Sequence, residues 1–125
     1  MAAIAPTSAI LGNTGQGNQH GPALTWTWTP VTEADTMDAV EVPVSLSDRT
    51  IHVFGTFGSS TLLVTGSIDG TNYFTMNDSN GNALSITSAK GEALLELVRY
   101  IKLTHSGGTG TSLSIVLLAS GPRRH

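Results

Sequence analysis

The side chains able to act as bases, nucleophiles or metal ligands are thinly spread along this chain. There are four histidines, His20, His52, His105 and His125. No two of them stand at the H-x-x-x-H spacing that puts imidazoles on one face of a helix. His20 and His125 fall in segments without apolar periodicity, and His52 and His105 fall on or near expected strands, where a histidine is ordinarily a surface or contact residue. There is no cysteine, so thiolate metal sites, disulfides and cysteine nucleophiles are excluded. Serine and threonine are abundant, yet no G-x-S-x-G elbow presents one of them as a nucleophile. The glycine-rich stretches lack the phosphate loop and the dinucleotide fingerprint. The turn Asp78-Ser79-Asn80-Gly81-Asn82 invites a calcium reading. Aligning Gly81 with the central glycine of an EF-hand loop places Met76 at its first position and Thr87 at its last, where carboxylates are required. The acids, among them Glu33, Asp35, Asp38, Asp69 and Glu96, are scattered over turns and polar faces. The expectation is a chain that is not an enzyme and that takes no cofactor or metal.

Five aromatics could do non-covalent work. Trp26, Trp28, Tyr73, Phe74 and Tyr100 could line a sugar platform, because aromatic faces stack on pyranose rings. They could equally be core or interface aromatics. Trp26 and Trp28 alternate with Thr25, Thr27 and Thr29, so both tryptophans share one face of a strand.

That period of two runs through most of the chain. Val40, Val42 and Val44 alternate with Glu41 and Pro43, and Pro43 marks an edge or an end. Ile51 and Val53 oppose His52 and Phe54, and Gly55 and Gly58 suggest a bulge or close backbone approach. Asp69-Gly70 joins Thr61–Thr65 to Tyr73–Met76 as a hairpin. Asp78–Asn82 is a second dense turn. Leu84–Thr87 alternates again. Residues 93–98 read as irregular or a short strand. Ser112–Leu118 is a last strand whose continuous apolar stretch suggests burial on both faces, or at a subunit contact. About eight or nine short strands with regular turns predict an all-β, two-sheet antiparallel sandwich, with a jelly roll as one form of it.

The 125 residues fit one domain. Residues 1–22 read as a flexible, low-complexity N-terminal arm, 23–119 as the sandwich and 120–125 as a C-terminal tail. Only 12% of residues are charged and the net charge is -3, against roughly 25% charged in ordinary soluble domains. A weakly charged surface loses little solvation when it packs on another protein. No basic stripe is available to neutralise phosphates, which argues against nucleic acid as a partner. No apolar run is long enough to span a membrane. The N-terminus lacks the basic start of a signal peptide.

Beyond periodicity, a set of segments carries a resemblance. These are Arg49-Thr50-Ile51-His52-Val53-Phe54-Gly55-Thr56-Phe57-Gly58, Val64-Thr65-Gly66-Ser67-Ile68-Asp69-Gly70-Thr71-Asn72-Tyr73-Phe74, Asn80-Gly81-Asn82-Ala83-Leu84 and Arg99-Tyr100-Ile101-Lys102-Leu103, with the glycine-rich turn and strand that run to Leu118. Together they cover a little over half of the chain. They resemble the small β-rich virion proteins of tailed bacteriophages, of the capsid decoration (cement) type. The resemblance implies a β-sandwich made in the host cytoplasm and assembled as a dimer or trimer on the virion, at the outer capsid surface, with the major capsid protein as partner and no catalytic residues. The alternatives are a carbohydrate-binding module with a glycan ligand, a tail or adaptor component, and, last, a small hydrolase. On the decoration reading, contacts are expected at Ile10, Leu11, Trp26, Trp28 and Arg123, that is, at the ends and on apolar strands.

Overall fold

The computed structural model describes residues 3–11 and 23–121. They contain twelve strands and no helix. In chain order these are β1 (Ala3–Ile4), β2 (Thr7–Leu11), β3 (Ala23–Val31), β4 (Thr36–Met37), β5 (Val40–Glu41), β6 (Asp48–Thr56), β7 (Thr61–Ser67), β8 (Phe74–Thr75), β9 (Ser85–Ile86), β10 (Lys90–Ala93), β11 (Tyr100–Ser106) and β12 (Ser112–Ser120). One five-stranded sheet has the order β10-β6-β12-β3-β2, and every pairing in it is antiparallel. The second has the order β5-β11-β7-β8, with β9 also paired to β7. A small parallel pair joins β1 to β4.

The expected two-sheet sandwich is therefore what the chain forms, and alternation is the cause. In the first sheet Trp26, Trp28, Ile51, Val53, Leu113, Ile115, Leu117 and Ala119 point inward and are buried. In the second, Val40, Leu62, Val64, Ile86, Ile101 and Leu103 meet them. A one-residue slip of any central strand would turn its apolar set to water.

The turns follow their residues. Asp69-Gly70 closes the hairpin of β7 on β8, with Gly70 at φ 83°. In the 78–82 turn, Asp78 N donates to Asn82 O and Gly81 N to Asp78 O. Gly55 breaks the alternation of β6 at φ 114°, and a Cβ there would lie 2.4 Å from the carbonyl oxygen of Ser112. The close approach expected at Gly55 is thus an approach of β6 to β12. β5 ends two residues before Pro43, and the stretch 94–98 is irregular.

Two expectations need correction. Residues 3–11, assigned to the flexible arm, are in the sheets: β2 pairs residue for residue with β3, from Thr7 opposite Thr27 to Leu11 opposite Ala23. Ile4 packs against the core. β2 reads Thr-Ser-Ala-Ile-Leu, with no period of two, so its pattern is faint in sequence, and its ladder to β3 is what holds it. Residues 12–22 of that arm lie outside the described residues. Of the two readings of the apolar run in β12, burial on both faces within the chain is the one that fails, since Leu118 is 37% exposed. At the other end, Ser120 still belongs to β12, opposite Asp48.

Candidate functional site

Alternation that sends one set of residues into the core fixes what each sheet shows to its surroundings. On the first sheet the outward set is Thr50, His52, Phe54 and Thr56 on β6, Ser112, Ser114, Val116 and Leu118 on β12, Thr25, Thr27 and Thr29 on β3, and Thr7 and Ala9 on β2. Asp48, the first residue of β6 and opposite Ser120, shares this parity and is the one carboxylate among these positions; none of the others is an Asp, Glu, Lys or Arg. His52 and Phe54 stack with ring centroids 4.8 Å apart. Val116 stands opposite His52, and Leu118 opposite Thr50. The result is a broad, gently polar face with an apolar strip along β6 and β12. Such a face costs little to desolvate and carries hydroxyls able to hydrogen-bond across an interface.

The second sheet is different. Its outward positions on β11 include Tyr100, Lys102 and Thr104. Arg99, just before them, pairs with Glu41 at 2.8 Å and lies over the Tyr100 ring. Beside β11 is a cleft of about 870 Å³, walled by the 35–39 segment on one side and by Gly70, Thr71 and Tyr73 on the other, with Lys102–His105 as its floor. The ammonium of Lys102 lies 5.7 Å from the centroid of the Tyr73 ring. His105 is pinned at the end of the cleft by a hydrogen bond between Nε2 and the carbonyl of Asp35, and its Nδ1 is buried without a partner.

The carboxylates in the loops are spent on backbone. Asp69 Oδ1 accepts from the amides of Thr71 and Asn72, both at 2.8 Å, and from Ser67 Oγ, while Oδ2 accepts from Asn72 Nδ2. The Asn72 and Thr71 amides lead in holding its carboxyl well below the usual aspartate range. For Glu96 burial works against the charge. The bonds from the Asn77 amide and side chain, at 2.8 and 2.6 Å, outweigh it and lower the carboxyl. Asp35 is lowered by the amide and hydroxyl of Thr32, and Glu33 chiefly by its own amide and that of Thr111.

The one buried charge among the described residues is structural. Arg49 is 2% exposed, and its guanidinium donates to the carbonyls of Leu46, Val98, Pro43 and Val42. It ties the loop after β5 to the stretch before β11. Burial lowers its pKa. Among the described residues no group of three or more His, Asp or Glu could hold a metal ion.

The expected contact residues fare unevenly. Trp26 and Trp28 are 8% and 0% exposed and belong to the inter-sheet core. They are corrected from contact residues to core residues, because a side chain without exposed surface has nothing to offer a partner. The same burial removes them from any sugar platform. Of the five aromatics, Tyr73 lines the cleft, Phe74 is 42% exposed and Tyr100 packs under Gly70. The side chains of Ile10 and Leu11 and the whole of Arg123 lie outside the described residues. Sequence reasoning missed the grouping of Asp38, Lys102, Thr104 and His105 around Tyr73. Its one signal was the outward alternation of Lys102 and Thr104 in β11.

No family model matches the chain, and no curated protein does. Its fold is shared with solved structures. The SPBc2 prophage-derived protein YomS matches with a TM-score of 0.60 at 7% identity, over 79% of this chain and 95% of that one. The PBSX exported protein XepA matches with a TM-score of 0.63 at 16% identity, over 88% of this chain and 42% of that one. YomS is prophage-derived, and the chain spans less than half of XepA. At these identities the likeness is one of fold. The family 11 carbohydrate-binding module of the Clostridium thermocellum cellulase Lic26A-Cel5E reaches a TM-score of 0.35 at 11% identity, over 96% of this chain and 85% of that one, which is too low to carry an argument.

Proposed function

We propose that this chain is a non-catalytic structural protein of a phage particle. It docks by the weakly charged outer face of the first sheet, and the surface it covers is the outside of the capsid. The observation that carries the reading is that face: two long central strands, β6 and β12, present Phe54, Val116 and Leu118 among hydroxyls and the His52 ring, with no Asp, Glu, Lys or Arg between them. The prophage origin of the neighbour YomS supports the phage setting, and the resemblance of the 49–118 segments to cement proteins supports the capsid.

The physics of cementing fits such a domain. A protein that binds the assembled shell and not its free subunits stabilises the shell by mass action. Many copies, each with a modest interface, add their effects. A sandwich already rigid before docking loses little entropy on binding. The partner is the major capsid protein, and the protein docks as a dimer or trimer of itself.

The test is co-sedimentation of the purified protein with expanded phage capsids, alongside its mass by light scattering. Saturable binding in a fixed ratio to capsid subunits supports the reading. Retention on tails alone overturns the capsid assignment in favour of a tail or adaptor part, and binding to neither particle overturns the structural role.

A further inference from the structure

A second surface of the molecule has the make-up of a ligand site, and docking by the first sheet leaves it unused. The cleft beside β11 falls within the roughly 300–1,000 Å³ typical of small-molecule sites. Its polar groups are of both kinds. Lys102, exposed at its floor, makes no ion pair among the described residues and rests on the Tyr73 ring. Asp38 on the 35–39 wall is exposed, as are Thr71 and Thr104. The Asp35 carboxylate is taken up by Thr32. The half-buried ring of Tyr73 supplies the apolar wall.

A ligand for such a cleft must both donate and accept hydrogen bonds over a short span and bring an apolar face to an aromatic ring. Two carboxylates against one ammonium make the lining acidic, which disfavours an anion. Duplex nucleic acid and phosphates are thereby excluded on charge. A pyranose meets the terms: each hydroxyl can accept from Lys102 or a threonine and donate to Asp38, while its axial C–H face packs on Tyr73. We infer that the cleft formed by Asp38, Tyr73, Lys102 and Thr104 is a binding site for a neutral saccharide of one or two pyranose rings. It is independent of the docking face, since the cleft and that face belong to opposite sheets.

The experiment is an amide chemical-shift titration of the full chain with cellobiose and with N,N′-diacetylchitobiose. The expected result is saturable shifts at Thr71, Tyr73 and Lys102–His105 with one of the two sugars, at about millimolar Kd, the weak end expected of an open site with few contacts. Tyr73→Ala and Lys102→Met each weaken that binding about tenfold or more, and Phe54→Ala on the opposite sheet leaves it unchanged. Tyr73 and Lys102 stand outside the buried core, so a retained amide spectrum verifies that the variants fold. No saturable shift at the cleft with either disaccharide overturns the inference, as does binding that persists in both variants. Loss of capsid co-sedimentation in Tyr73→Ala, without sugar binding in the parent, would reassign the cleft as a protein contact. Because capsid docking is measured separately, the saccharide site can fail while the docking reading stands, and the reverse.

Discussion

Arg49 and Asp69 show how few charged groups this fold uses and how fully it occupies them. Arg49 donates to four carbonyls, of which that of Pro43 also accepts from the Leu46 amide, and each buried carbonyl left without a donor costs about 1–3 kcal/mol. Arg49→Met keeps the packing of the stem and removes the donors. It is expected to lower stability by about 3 kcal/mol or more, read from denaturant midpoints with the slope unchanged. Asp69 works by capping amides, and its folded pKa lies below its unfolded one. Its contribution is therefore full above the unfolded value of about 3.9 and is lost as pH falls through the folded value. Asp35, Glu33 and Glu96 shift in the same direction. The melting temperature should hold level from about pH 5 to 7 and fall below about pH 4. Asp69→Asn should flatten that acid decline, and an unchanged profile in the variant would remove Asp69 from the account.

At the level of strands, the decisive positions are those where β6, β12 and β3 touch. Trp28 fills the space between the sheets, and Trp28→Ala is expected to cost about 3–5 kcal/mol and to abolish cooperative melting if the domain is only marginally stable. Gly55→Ala would force a Cβ against the Ser112 carbonyl at a positive φ, with an expected loss of about 2–4 kcal/mol by thermal or chemical unfolding. These strands were readable in sequence because a half-buried strand writes its two faces in alternate letters. Trp26 and Trp28 illustrate the limit of that code. Alternation said that they share a face, but not whether the face looks at the opposite sheet or at a partner, which depends on which strands cross behind it. β2 was unreadable for a different reason, since Thr7-Ser8-Ala9-Ile10-Leu11 groups its polar and its apolar residues instead of alternating them. The cleft was hidden because Asp38, Tyr73 and Lys102 come from three separate segments. Their meeting is set by the short β5, which lets the chain leave the side of β11 after two residues.

For the molecule as a whole, the two sheets divide the surface into a face whose one carboxylate, Asp48, stands at its edge and a more charged one. If the first is the docking face, a charge placed at its centre should act on binding and not on folding. Val116→Lys is expected to leave the melting temperature within about 2 °C, since Val116 is only half-buried, and to reduce capsid occupancy at least tenfold in co-sedimentation. A comparable loss from a charge on the other sheet, at Thr104, would move the contact to that side.

The lengths of the outermost strands have a further consequence, for solubility. In the second sheet the borders are β5 on one side and β8 and β9 on the other, each two residues long, too short to template an added strand. In the first sheet β10 carries Lys90 and Glu92, ion-paired at 3.5 Å, and charges of this kind discourage edge-to-edge polymerisation. Among the described residues that leaves β2, with five residues and an uncharged sequence, as the open border. A concentrated solution of this protein is thus guarded against fibril growth on three borders, and any ordered aggregate would be seeded at the fourth.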